Sequence, residues 1–108
     1  MIVGSMRLEL SLRQARSLKD KRQVAQRILE RSRSRFDVAA SEVEAADDHR
    51  RLVVGFGAVG SDSRVVRATL EKVATFVDEL YLAPVVRRDL RVEPFDADDD
   101  SWLPSGMD

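Results

Sequence analysis

The chain has 108 residues, of which 34% are charged and 44% hydrophobic, with a formal net charge of −1 and no cysteine. That length predicts a single domain, one that buries roughly 60–65% of its extended-chain surface. The lack of cysteine excludes disulfides, thiolate nucleophiles and thiolate-ligated metals, and no apolar run approaches the roughly 20 residues of a membrane-spanning helix. Met1-Ile2-Val3-Gly4-Ser5-Met6-Arg7 has no basic segment ahead of an apolar one, so no signal peptide is read there and a cytoplasmic location is expected.

The near-zero net charge conceals a split. Residues 1–35 hold 10 Lys/Arg against three acids (Glu9, Asp20 and Glu30), an excess of +7, whereas residues 36–108 hold 8 against 16, an excess of −8. This asymmetry points to an anionic partner for the first part, or to association between the two parts. The plain structural account is a solvated basic helix beside an acidic remainder.

Ile2 to Leu10 alternates, with Ile2, Gly4, Met6, Leu8 and Leu10 on one face and Val3, Ser5, Arg7 and Glu9 on the other, which predicts a strand with one buried side. Ser17-Leu18-Lys19-Asp20 reads as a helix start: the serine hydroxyl can accept from an orphan backbone N–H, and Asp20 favours the positive end of the dipole. From there to about Ser34, Leu18, Val24, Ala25, Ile28 and Leu29 fall on one arc. Lys21 lies inside that arc, in the first turn, where its stem is expected to snorkel outward. The remaining surface is basic, with Lys19, Arg22, Arg27, Arg31 and Arg33 relieved by Asp20 and Glu30.

Phe36 to Val43 predicts a second strand with Phe36, Val38 and Ala40 inward, followed by a polar turn from Glu44 to Arg51. Leu52 to Val59, almost wholly apolar or glycine, predicts a central third strand antiparallel to the second. Ser61-Asp62-Ser63 supplies alternative caps for a second helix to about Leu80, with Val66, Thr69, Leu70, Val73, Phe76, Val77 and Leu80 buried. Pro84 ends any continuation. Val86, Leu90 and Val92 alternate with charges in a fourth, half-exposed edge strand that stops at Pro94. Residues 1–95 thus form an α+β domain of order βαββαβ, a ferredoxin-like four-stranded antiparallel sheet with two helices on one face. Residues 96–108 are acidic and aperiodic, and are expected to be a disordered tail.

Gly55-Phe56-Gly57-Ala58-Val59-Gly60 matches the dinucleotide pattern GxGxxG, but too little chain follows for a parallel βαβαβ unit and no acidic residue is placed to hold a ribose. Its GxxG segment follows a strand rather than a helix, against the nucleotide clamp of KH domains. Its likeness to the third strand of RRM domains lacks both the leading basic residue and the second stacking aromatic. The plain reading puts Leu52, Val54, Phe56 and Ala58 in the core, with Val53, Gly55, Gly57 and Val59 opposite.

Together with Val3, these outer residues form a shallow apolar patch rimmed by Arg7 and Glu9, a candidate homodimer face; the fourth-strand edge is the other candidate. Catalytic groups are scarce. His49 is the only histidine and sits in a polar turn, and Ser32, Ser34, Ser61 and Ser63 have no partnered base. Asp98-Asp99-Asp100 lacks the spacing of a calcium loop. No catalytic residue, metal or cofactor is therefore assigned.

Met1-Ile2-Val3-Gly4, Arg7-Leu8-Glu9-Leu10 and above all Ala15-Arg16-Ser17-Leu18-Lys19-Asp20-Lys21-Arg22 give the chain its resemblance to the YlxP-like proteins, small uncharacterised bacterial domains with an MIVG-like first strand and an SLKxKR motif. The likeness runs from Met1 to about Val92. It implies a ferredoxin-like fold and, through the family's gene neighbourhoods among translation and ribosome-assembly genes, contact with RNA or the ribosome. The chain departs from the pattern near His49, where members often carry an aromatic, and in its acidic tail.

The resulting expectation is a non-catalytic module that contacts RNA or the ribosome through Lys19, Lys21, Arg22, Arg27, Arg31 and Arg33. The alternative is a protein–protein adaptor or a self-associating structural protein.

Overall fold

The computed structural model describes residues 1–96. Apart from Asp96, the predicted acidic tail lies outside the described residues. Six elements follow in the order β1 (Ile2–Ser11), α1 (Leu18–Arg35), β2 (Ala39–Glu44), β3 (Arg51–Gly60), α2 (Ser63–Glu79) and β4 (Val85–Pro94). The strands form one sheet of order β2-β3-β1-β4, antiparallel at every step. This is the ferredoxin-like α+β arrangement expected from the alternating and helical periodicities.

Both caps act as their sequences imply. Ser17 Oγ accepts from Asp20 N at 3.2 Å, while Asp20 Oδ2 accepts from Arg16 N at 2.8 Å. Of the three candidates before α2, Asp62 is the cap, its Oδ1 accepting from Arg64 N at 2.8 Å. That N–H, and then the Arg64 guanidinium, hold the Asp62 carboxyl below its usual range.

The core lies between the helices and one sheet face. Met6, Leu8 and Leu10 of β1 meet Leu52, Val54 and Phe56 of β3, covered by Ala25 and Ile28 of α1 and by Leu70, Val73 and Val77 of α2. Each large side chain fully buried here contributes about 1.5–3 kcal/mol. Helix α2 approaches β1 so closely at Gly4 that a Cβ there would sit 2.5 Å from Val66 Cγ1 and 2.8 Å from Leu70 Cδ1. Where α1 ends, Phe36 and Phe76 pack edge to face at 5.4 Å and the Arg35 guanidinium lies 5.2 Å from the Phe76 ring centre, tying the two helices together.

Strand β2 starts three residues later than expected. Phe36 N donates to Ser32 O to close α1, and Val38 N donates to Phe36 O in a turn, so neither N–H is free for the ladder. Phe36, Val38 and Ala40 still pack against the core. Two strands carry an extra residue: the register breaks at Val43 in β2 and at Val86 in β4.

Candidate nucleic-acid interface

The structure divides the basic residues of α1 by role. Lys21 is a correction to the sequence reading: it does not snorkel outward but is 1% exposed. Its ammonium donates to Ala45 O at 2.5 Å and Asp48 O at 2.8 Å and stands 2.9 Å from Glu42 Oε2 in an ion pair. The lysine thus clamps the β2–β3 hairpin onto the first turn of α1. Ala45 takes a left-handed conformation (φ 57°) at this contact.

Two misfits in the sequence could have announced the pair. Lys21 interrupts an apolar helical arc, and Glu42 continues the inward alternation of Phe36, Val38 and Ala40. Opposite charges at two otherwise apolar positions imply one another, because neither is stable buried alone.

Lys19, Arg22, Arg27, Arg31 and Arg33 are all exposed, with Arg33 Nη2 donating to Ala40 O. At 100° per residue they fall on two flanks. Arg22 and Arg33 lie on the β2 side, Arg27 and Arg31 on the side of α2, and Lys19 crests the helix between them. Among the described residues no carboxylate forms an ion pair with any of these five, nor with Arg13 or Arg16 in the preceding loop.

Beside the Arg27 flank runs a groove of about 800 Å³ between the β1–α1 loop, α1 and the α2–β4 turn. Arg13 and Arg27 line it with Asp20, Asp78 and Tyr81. Tyr81, 86% exposed and left-handed at φ 53°, is the aromatic residue in this lining. The sequence reading missed this tyrosine and Arg13. The only signal was an aromatic residue just beyond a helix end, which periodicity does not interpret.

The opposite sheet face is electrically different. Arg7 bonds Glu44 through two contacts, Nε–Oε1 at 3.0 Å and Nη2–Oε2 at 2.6 Å, and lies 3.6 Å from both Glu9 and Asp89. Arg51 meets Glu9 at 2.9 Å and Arg87 meets Asp89 at 3.1 Å. The hydrogen bond from Arg7 holds the Glu44 carboxyl low, and that from Arg51 does the same for Glu9.

Val53 lies among these residues in the ladder, between Glu9 and Glu44, and is fully buried on a face read from sequence as open. Gly55 is roofed by Val43, whose Cγ1 would lie 2.8 Å from an added Cβ. Of the five proposed dimer-face residues, Val53 and Gly55 are therefore covered within the chain. Val59 is 68% exposed, and Val3 and Gly57 are half-buried.

The glycine motif resolves plainly. Gly55 to Gly60 lie within β3, paired with β1 along their length and with β2 as far as Gly57, so they form no phosphate-cradling turn. Phe56 is 3% exposed in the core, and β1 and β3 place no aromatic on the open face, so an RRM-type stacking platform is missing from these strands.

This is a ferredoxin-like α+β domain that carries a cluster of exposed cations without ion pairs, among the described residues, on its first helix. Its sequence matches, over residues 3–89, the family described as a protein of unknown function (DUF503), and the chain belongs to that family. It is 35% identical over 77 residues to the uncharacterized protein YlxP of Bacillus subtilis (strain 168), an alignment covering 71% of this chain and 84% of that one.

Proposed function

We propose that the protein is a non-catalytic, cytoplasmic binding module that holds RNA, free or within the ribosome, on the exposed basic surface of α1. One contrast carries the reading. Lys19, Arg22, Arg27 and Arg31 stand together on one helix with no ion pair among the described residues, whereas on the sheet face Arg7, Arg51 and Arg87 each sit in one and Arg91 alone does not. Cations compensated within the fold are structural, whereas a cluster left to solvent attracts a polyanion and gains from releasing its counterions.

From Lys19 to Arg31 the helix spans about 18 Å, room for several phosphates. Tyr81 in the adjoining groove offers a ring for an unpaired base, which favours a single-stranded segment over a duplex.

Binding of a fluorescein-labelled single-stranded RNA should fall with salt. The slope of log K against log[salt] should be about −3 if those four side chains each neutralise one phosphate. Replacing Arg27 and Arg31 by Gln should reduce the slope by about 1.4 while leaving the melting temperature unchanged. Failure of the wild-type protein to bind this RNA or purified ribosomes at low salt would refute the proposal.

A further inference from the structure

Strand β4 is a sheet edge, and among the described residues nothing pairs with its outer side. Its ladder with β1 places Arg87, Asp89, Arg91 and Glu93 opposite Glu9, Arg7, Ser5 and Val3, all on the face away from the helices. Arg88, Leu90 and Val92 lie on the helix side, opposite Leu8, Met6 and Gly4. The open face of this edge therefore reads plus, minus, plus, minus over four successive outward positions.

Charged edges usually keep a second strand away, but an alternating one can accept its own copy. In an antiparallel two-fold pairing, directly opposed residues share a face, so the dyad must pass through a residue. With the dyad at Asp89, Asp89 meets itself and Arg87 meets Arg91. With the dyad at Arg91, Arg91 meets itself and Asp89 meets Glu93. Both registers set like charges together. Moving it to Arg88 or Val92 pairs only half of the four charges with opposites. With the dyad at Leu90, Arg87 faces Glu93 and Asp89 faces Arg91, each twice, and every outward charge meets its opposite.

Two further features agree with that centre. The extra residue at Val86 and the N–H-less Pro94 stand four positions either side of Leu90, so both interruptions of the strand fall opposite one another. On the helix side, Leu90 meets its own copy and half-buried Val92 meets the stem of Arg88.

We infer that the protein forms a homodimer by antiparallel pairing of β4 with β4 of a second copy, centred on Leu90, giving one continuous eight-stranded sheet. The contact leaves the basic surface of α1 uncovered and does not depend on the RNA reading. A single strand pair is a small interface, so association is reversible, in the range of ~10–100 μM.

Analytical ultracentrifugation of the full chain tests it. Glu93→Arg sets the introduced guanidinium against Arg87 of the partner subunit twice, and Arg87→Glu sets two carboxylates together twice. Each variant alone should dimerise about tenfold more weakly or worse. In an equimolar mixture both contacts become opposite-charge pairs, and the dimer should return as a heterodimer at wild-type affinity. Circular dichroism of each variant separates this effect from misfolding.

As a readout independent of charge, Leu90→Cys supplies the only thiol in the chain, at the dyad, and should cross-link under mild oxidation, whereas Val59→Cys should not. A wild-type monomer at several hundred micromolar overturns the inference. So does a dimer indifferent to both charge reversals, or a mixture that stays monomeric.

Discussion

Replacing Lys21 by Met keeps the length and apolar stem of the side chain and removes only its charge. Glu42 Oε2, Ala45 O and Asp48 O, now 2.9, 2.5 and 2.8 Å from the ammonium, would lose their shared partner. Breaking a buried ion pair from one side costs about 3–5 kcal/mol. Here the lower end applies, because the Glu42 side chain is 29% exposed and can recover some hydration. A loss of about 3 kcal/mol corresponds to a fall of roughly 15 °C in melting temperature for a domain of this size.

Urea denaturation gives the free energy. Hydrogen exchange at the hairpin amides, such as Asp48 N bonded to Ala45 O, locates the damage. The double variant Lys21→Met/Glu42→Leu removes both charges and should recover most of the loss, since a packed apolar pair can replace a buried ionic one. RNA affinity measured well below the melting transition should keep the wild-type salt slope. The clamp assignment is refuted if the single variant loses less than about 1 kcal/mol, if the double variant recovers nothing, or if the slope falls as it does for Arg27→Gln.

Acid should weaken the sheet-face network. Glu9 and Glu44 are held below the usual carboxylate range, so their contribution is complete above the ordinary glutamate value of about 4.3 and is lost as the pH drops through their depressed folded values. Arg7→Met should flatten the dependence of urea midpoint on pH in that window; an unchanged profile would show that other groups set it. Gly4→Ala forces a methyl against Val66 and Leu70 and should cost about 1–3 kcal/mol, measured by denaturant midpoint. Ala45→Gly relieves a left-handed residue while leaving the carbonyl for Lys21, so stability should hold or rise by roughly 0.5 kcal/mol; a loss beyond 1 kcal/mol would mean that the methyl packs.

Periodicity determined the element order and the core rows of β1, β3 and α2, because alternation and helical spacing record which face of each element leaves water; the α1 cap was legible in the Ser17 hydroxyl, while the α2 cap was narrowed only to Ser61, Asp62 and Ser63. The same logic identified β4 as an edge, from charges alternating with Leu90 and Val92. What it cannot encode is what lies across from an exposed-looking residue. Lys21 read as a surface cation because a helix arc says nothing about Glu42, which arrives 21 positions later on another strand. Val53 read as an open-face residue because nothing local shows Arg7, Glu9 and Glu44 converging beside it.

In both cases the deciding term is the desolvation of a charge or the burial of an apolar side chain, set by partners brought together only by the sheet register. The SLKxKR motif shows the division at its finest. Ser17 and Asp20 act within their own turn and were legible, whereas Lys21 and its exposed neighbours Lys19 and Arg22 were told apart only when the hairpin closed over one of them.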